Sequence, residues 1–324
     1  MQALADLGHE LVTLDYNTYF IKYPSLLQKL QHELKLGPAI NRINSEILKL
    51  DLENNPDIVW IDKGIYVTPE TVKKLKARKR FLVQHNTDDI KFAGNKFNKN
   101  VTPAIPLFDV HITSNTFNLN DFKELGAKNV IHMELAYNHH LHKPLELSKE
   151  DYEKYKADVS FIGHWETETE KYIVGLRKRG IQVRLLGTGW KNASDTELSN
   201  SNIPGVFGDE YVKALCAAKI NLCFLSKWNR NVTSARTFEI PACKTFMLAI
   251  RTDAHVEYYR EGLEADFFSN VDELAEKIKY YLEHDDERER IAEAGYDRCI
   301  SSGYSDFDQM KIVMEQITDI YNRR

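Results

Sequence analysis

A chain of 324 residues with 43% hydrophobic and 28% charged side chains has an ordinary globular balance, and at roughly 100–200 residues per domain its length favours two domains. A net charge of −5 argues against a general nucleic-acid binder, which needs a basic face for the phosphates. No apolar run approaches the roughly 20 residues that span a bilayer. The start, "MQALADLGHELV", lacks the basic-then-apolar layout of a secretory signal, so a cytoplasmic protein is expected.

Along the chain, short β-rich runs alternate with helical patterns. The first half carries "HELVTLDY" (9–16), "DIVWID" (57–62), "RFLVQHN" (80–86), "DVHITSN" (109–115) and "NVIHMEL" (129–135). A polar, proline-bearing stretch, 136–157, then reads as an interdomain connection. Strand candidates resume with "DVSFIGHW" (158–165), "IQVRLLG" (181–187), "INLCFLS" (220–226), "TFMLAI" (245–250) and "ADFFS" (265–269). Helical periodicity separates most of them, as in "PETVKKLKARK" and "VDELAEKIKYYLEH". Strands apolar on both faces, alternating with amphipathic helices, imply α/β domains with parallel sheets covered on both sides. Two doubly wound domains are expected, with a ligand at the carboxyl ends of their strands. The last segment, "YSDFDQMKIVMEQITDIYNRR", reads as one helix with Met310, Ile312, Val313, Ile317 and Ile320 as its apolar contacts. Cys216, Cys223, Cys243 and Cys299 stand singly and read as buried free thiols. The Asn-x-Ser/Thr matches at Asn100, Asn192 and Asn231 then carry no weight.

Three stretches carry candidate chemistry. "NRNVTSARTFEIPACK" (229–244) follows a strand and starts a helix, with Thr233 or Ser234 available as its cap. Lys227, Arg230 and Arg236 put positive charge there, suited to a diphosphate. Glu239, three positions after Arg236, can accept two hydroxyl protons from a ribose; alternatively the two are a pair that only steadies the helix. In "SFIGHWETETEKYI", Gly163 lets the backbone approach a ligand, His164 and Trp165 project from the strand end, and Thr167 can cap the next helix. A plain strand-to-helix loop is the alternative. "LVQHNTDDIKF" places His85, Asp88 and Asp89 past a strand of the first domain, facing substrate hydroxyls or forming a solvated, capped loop.

Other patterns are set aside. "GTGW" (187–190) has Asn192 where a dinucleotide fingerprint needs a third glycine. "DFD" (306–308) starts a helix, where acids favour the dipole. His139, His140 and His142 lack a fourth-ligand pattern. No metal site is expected.

"DVSFIGHWE", "GDEYVKALCAAKINLCFLSKWNRN", "SARTFEIPAC" and "DELAEKIKYYLEHDDERERIAEAG", with "WIDKG", "TDD" and "TSNTFNLNDFKELGAKNV" in the first half, resemble the CgeB-like (spore-maturation protein) glycosyltransferases over essentially the whole chain. That family is similar to the retaining family-4 glycosyltransferases of GT-B fold. The resemblance implies two Rossmann-like domains facing a cleft: 1–145 on the acceptor side, 146–302 binding the nucleotide sugar, and a helix at 303–324 crossing back to the first domain. It implies no cofactor and no required metal, only a nucleoside diphosphate sugar as donor. By the same resemblance Glu239 matches the second glutamate of the family-4 pair, a ribose contact. The first falls on Asn231, an amide where an acid is usual.

Further departures are His164 and Glu166 where Arg and Lys clamp the diphosphate, and Lys244 where glycine usually ends the helix. Related chains also begin with an apolar strand and a glycine turn, whereas Met1 here falls inside the following helix. Either the start lies upstream or the first domain is incomplete; loss of a central strand would abolish activity or drive self-association.

The expected function is transfer of a sugar from a nucleoside diphosphate sugar to a glycan, protein or small-molecule hydroxyl, retaining and metal-independent. Lys227, Arg230 and Arg236 hold the diphosphate and Glu239 the ribose. Gly163, His164 and Trp165 border the donor, with Val206, Phe207 and Gly208 near the base. Asn231, Thr233 and Ser234 line the donor site, and His85, Asp88 and Asp89 face the acceptor or the reacting sugar. A catalytically degenerate nucleotide- or glycan-binding module and a nucleotide-sugar epimerase are the alternatives.

Overall fold

The computed structural model describes residues 1–91, 98–227, 230 and 232–324. The chain forms two compact units, Met1–Glu134 with Met310–Arg324, and Leu135–Gln309.

The first unit holds a parallel four-stranded sheet: β1 (Ile58–Asp62), β2 (Phe81–His85), β3 (Val110–Thr113) and β4 (Val130–His132), in that spatial order. Right-handed crossovers between strands laid down in sequence order return on one side of the sheet. Accordingly Ile61 and Leu82 on one face pack with Val72 and Leu75 of the crossover helix Pro69–Ala77. The other face is left to the chain ends. There Phe81, Val83, Val110 and Ile112 meet Ala3 and the last helix, Asp306–Asn322, through Met310, Val313, Met314 and Ile317. Each such side chain, fully buried, contributes about 1.5–3 kcal/mol.

Two sequence expectations fail in this unit. Ile312 is 49% exposed, and Met314 takes the inward position instead. "HELVTLDY" forms no strand: Leu11 and Val12 are exposed and the segment pairs with no edge. β propensity supplies a strand only where a neighbour takes its backbone groups and a face takes its side chains.

The second unit is wound on both faces. Its parallel strands are β5 (Ala157–Ile162), β6 (Arg184–Leu186), β7 (Ala218–Cys223), β8 (Met247–Ile250) and β9 (Asp266–Phe268). Their order is β6-β5-β7-β8-β9. Val159, Phe161, Ile220 and Leu248 pack against the helices Thr167–Arg177 and Val271–Glu283. Ile162, Cys223, Met247 and Phe267 pack on the opposite face against the helices Asp209–Cys216 and Arg236–Ala242. The order reverses between β5 and β7, and the edge outside their carboxyl ends is where doubly wound sheets bind ligands.

Asp306 is a structural acid: its carboxylate accepts from the His139 backbone and from Asn138, while Ser305 caps the last helix through the Asp308 N–H. All four cysteines are free, Cys216 half-buried and the others buried. Among the described residues no helix is long and apolar enough to cross a membrane.

Candidate functional site

At the reversal point three glycines record how tightly the loops pack. β5 ends at Ile162, and the next residues pair with the loop after β6, Gly163 N–H to Leu186 O at 2.8 Å and Trp165 N–H to Thr188 O at 2.8 Å. A Cβ on Gly187 (φ +132°) would sit 2.1 Å from Gly163 O; one on Gly189 (φ +83°) would sit 2.4 Å from the His164 ring. A Cβ on Gly163 would meet Arg236 Nη2 at 2.5 Å. Trp190 completes the seam, its Nε1–H donating to Gly163 O at 3.2 Å.

The residues expected around this seam part company. His164 is exposed, its Nδ1 2.9 Å from Thr188 Oγ1. Trp165 turns inward instead, packing on the core and donating to Glu170 at 2.7 Å. Thr167 is not the cap. Glu166 holds the cap position, and its carboxylate accepts the Lys227 N–H at 2.8 Å, joining the loops after β5 and β7.

Arg236 and Glu239 do not pair with each other. Arg236 Nε donates to Ile162 O at 2.6 Å, with its guanidinium 5.5 Å from the Phe161 ring centre. Glu239 Oε2 accepts from Tyr211 at 2.7 Å, and Oε1 lies 3.8 Å from His142 Nε2. Burial and the Glu239 charge push the Tyr211 phenol well above its ordinary value, so it remains a donor. The helix is not capped by Thr233 or Ser234; its cap position is Ala235, without a side-chain bond. Thr237 ties the entry down instead. Its hydroxyl accepts from Ser234 N–H at 3.2 Å and meets His255 Nε2 at 2.9 Å, while His255 Nδ1 donates to Ile250 O at 2.6 Å. The carbonyl fixes the tautomer. Burial holds His255 below its ordinary pKa, so the chain from the end of β8 to the helix entry is neutral.

Thr233 is buried, and Ser234 Oγ lies 3.4 Å from Cys223 Sγ; Lys227 and Arg230 are exposed at the loop. Asn231 lies outside the described residues. Lys244, where glycine was missed, itself adopts φ +57°, with its ammonium 2.5 Å from Glu293. The left-handed turn is therefore made without glycine, at a cost of about 1–2 kcal/mol.

The loop before the Asp209–Cys216 helix borders the same seam, since Pro204 O accepts the Gly187 N–H at 2.8 Å. Val206 packs on the core, Phe207 is 75% exposed, and Gly208 turns at φ +55° into the helix that carries Tyr211. Sequence reasoning missed Tyr211, His142, His255 and Thr188. Only Thr188 had a local signal, flanked by glycines at a strand end; the others act from distant elements.

In the first unit, His85, Asp88 and Asp89 follow β2. His85 Nδ1 lies 2.9 Å from Asp62 Oδ1, and its buried Nε2 has no hydrogen-bond partner. Burial alone would raise the pKa of Asp62, but the bonds from His85 and Trp60 carry it below its ordinary value. Asp88 pairs with Lys63 at 2.9 Å, and the buried Asp89 accepts the Lys91 N–H at 3.0 Å.

Residues 170–306 match a family model described as glycosyl transferase-like. No curated protein matches the sequence significantly. Among solved structures, the chain is similar to HepE of Anabaena in complex with UDP-glucose, at TM-score 0.61 and 15% identity over 88% of this chain and 83% of that one. A glycosyltransferase from Rickettsia africae gives TM-score 0.60 at 14% identity, over 98% and 87%. A Listeria monocytogenes protein described as a candidate UDP-N-acetylglucosamine 2-epimerase gives 0.54 at 11%, over 92% and 87%. At these identities the likeness speaks for the fold. The chain has the two-sheet parallel α/β fold of GT-B glycosyltransferases, and residues 170–306 match the glycosyl transferase-like family model.

Proposed function

We propose that this protein moves a sugar from a nucleoside diphosphate sugar to a hydroxyl acceptor, with retention of configuration and without a metal, as a CgeB-like relative of the family-4 enzymes. The observation that carries this reading is the separation of Arg236 from Glu239 at the strand-order reversal. The cation lies at the end of β5 beside Gly163, and the carboxylate is held by Tyr211 on the neighbouring helix. A cation and an oriented carboxylate on one helical turn suit the diphosphate and the ribose of one nucleotide.

Lys227 and Arg230 add charge to the leaving diphosphate, and catalysis rests on stabilising it together with positioning. Exposed Phe207 offers a ring to the base, with Val206 and Gly208 beside it. Gly163 and His164 border the donor; His85, Asp88 and Asp89 are assigned to the acceptor or the reacting sugar. UDP is the first nucleotide to test because a similar fold holds UDP-glucose. The setting is the cytoplasm, in keeping with four free cysteines.

A non-catalytic nucleotide binder is the second reading. It is favoured by Glu166, where a diphosphate-clamping cation is usual, spending its carboxylate on the Lys227 N–H. Nucleotide release from UDP-, GDP- and dTDP-sugars separates the two. Release that rises with acceptor supports transfer, intact nucleotide binding without release supports the binder, and a changed sugar without acceptor points to an epimerase.

A further inference from the structure

Glu239 has more support than a helix-surface glutamate needs. The Tyr211 hydroxyl donates to Oε2 at 2.7 Å from the Asp209–Cys216 helix. From an earlier segment of the chain, buried His142 brings Nε2 to 3.8 Å from Oε1. The His142 tautomer is set by its other nitrogen: Nδ1 accepts the Asn138 N–H at 2.9 Å, so Nε2 carries the hydrogen and faces the carboxylate. The two rings meet edge to face at 5.8 Å and 76°, so each fixes the other.

At 3.8 Å the histidine contact is electrostatic rather than a hydrogen bond. A carboxylate offers about four lone-pair directions. Tyr211 takes one on Oε2. Among the described residues no other side chain donates a hydrogen bond to it, so most of its accepting capacity is left over. The side chain itself is still 18% exposed. A purely structural triad would spend that capacity on the protein.

We infer that Tyr211 and His142 are positioning residues that lock the Glu239 carboxylate as an acceptor for the ribose hydroxyls of the donor nucleotide. This rests on reading Glu239 as the ribose contact. Tyr211 sets the plane of the carboxylate, and His142 keeps Oε1 turned toward the ligand side rather than rotated away. Selectivity for ribose over deoxyribose then depends on two residues that touch no sugar.

The test is calorimetric binding of UDP and 2′-deoxy-UDP to the full chain, comparing the affinity ratio across variants. Wild type should favour UDP, and Glu239→Ala should remove the preference. Tyr211→Phe and His142→Ala should each shrink the ratio at least threefold with little change in uridine-independent diphosphate binding, while His142→Gln, which keeps a donor, should recover part of it. The two positions are independent arms, so the inference stays testable if one variant fails to fold. Unchanged ratios in folded Tyr211→Phe and His142→Ala, with the preference lost in Glu239→Ala, overturn the positioning role alone. A preference that survives Glu239→Ala, or its absence in wild type for both the uridine and guanosine pairs, overturns the ribose reading and the inference with it.

Discussion

Removing the Arg236 side chain should separate the two halves of a nucleotide energetically. Arg236 Nε donates to Ile162 O at 2.6 Å and the guanidinium lies over Phe161. A charge-assisted bond contributes about 1.5–3 kcal/mol when its partner is left unsatisfied, and a cation over a ring about 0.5–2 kcal/mol. The Ile162 carbonyl lies at the end of a strand, where water replaces part of the loss, so Arg236→Ala should destabilise the fold by about 1–2 kcal/mol. The effect on binding is separate. The remaining nitrogens are free of Ile162, and a charge-assisted contact from them to a diphosphate is worth roughly the same 1.5–3 kcal/mol, a 10- to 150-fold change in affinity. Calorimetry with UDP and with uridine reads the difference: UDP should weaken by that factor and uridine by less than twofold. Arg236→Lys keeps the charge but loses the planar fork, and should fall between wild type and alanine. Equal weakening of UDP and uridine would mean that Arg236 only shapes the loop. Unchanged UDP affinity would refute the diphosphate role.

Gly187→Ala should cost about 2–4 kcal/mol by thermal unfolding, because its Cβ lands 2.1 Å from a backbone carbonyl at φ +132°. Gly180→Ala, at φ +77° with nothing within 4 Å, should cost only about 1–2 kcal/mol; equal losses would refute the packing account. Thr237→Val leaves the Ser234 N–H and His255 Nε2 without the partner between them, so denaturant unfolding should show a loss of about 1–3 kcal/mol, and no loss would sink the proposed tie. His111, wholly buried between Gln84 and Ile105 O, is pushed by burial from 6.5 down to about 4. The neutral ring is the one the fold accepts, so its contribution is whole above pH 6.5 and is lost as pH falls toward 4, by about 3 kcal/mol. A His111→Gln variant should have a flatter stability profile across that window than wild type, and parallel profiles would contradict this assignment.

How much of this was legible in the sequence follows from where each signal resides. Strands such as "SFIGHW" and "INLCFLS" are apolar on both faces because both faces are buried, and that pattern is local. "HELVTLDY" has a similar pattern, but its pairing depends on an edge elsewhere, which no local pattern records. The spacing of Arg236 and Glu239 was readable, and so was the strand before them. Their partners were not: Ile162 lies 74 positions earlier and Tyr211 28 positions earlier. His142 stood out only with His139 and His140 as a metal pattern that was set aside, and His255 gave no sign, since a lone histidine in sequence says nothing about what faces it. The cap at the Arg236 helix was misread for a related reason. Thr233 and Ser234 have the right chemistry for a cap, but Thr237, one turn on, captures the Ser234 N–H through a tie anchored at the end of β8.

The glycines at the same edge show why a motif must be read with its surroundings. A glycine that serves a phosphate leaves the space of the absent side chain for the ligand. "GTGW" does not. The space beside Gly187 is filled by Gly163 O and that beside Gly189 by the His164 ring, so these two glycines let two loops close on each other. Gly163 is filled too, by the Arg236 guanidinium at 2.5 Å and by the ring of buried Phe161 at 2.6 Å. Gly208, with nothing within 4 Å, is the one of the four beside which space is open. On packing alone, the position among these four that can admit a ligand is therefore Gly208, at the start of the helix whose Tyr211 holds Glu239.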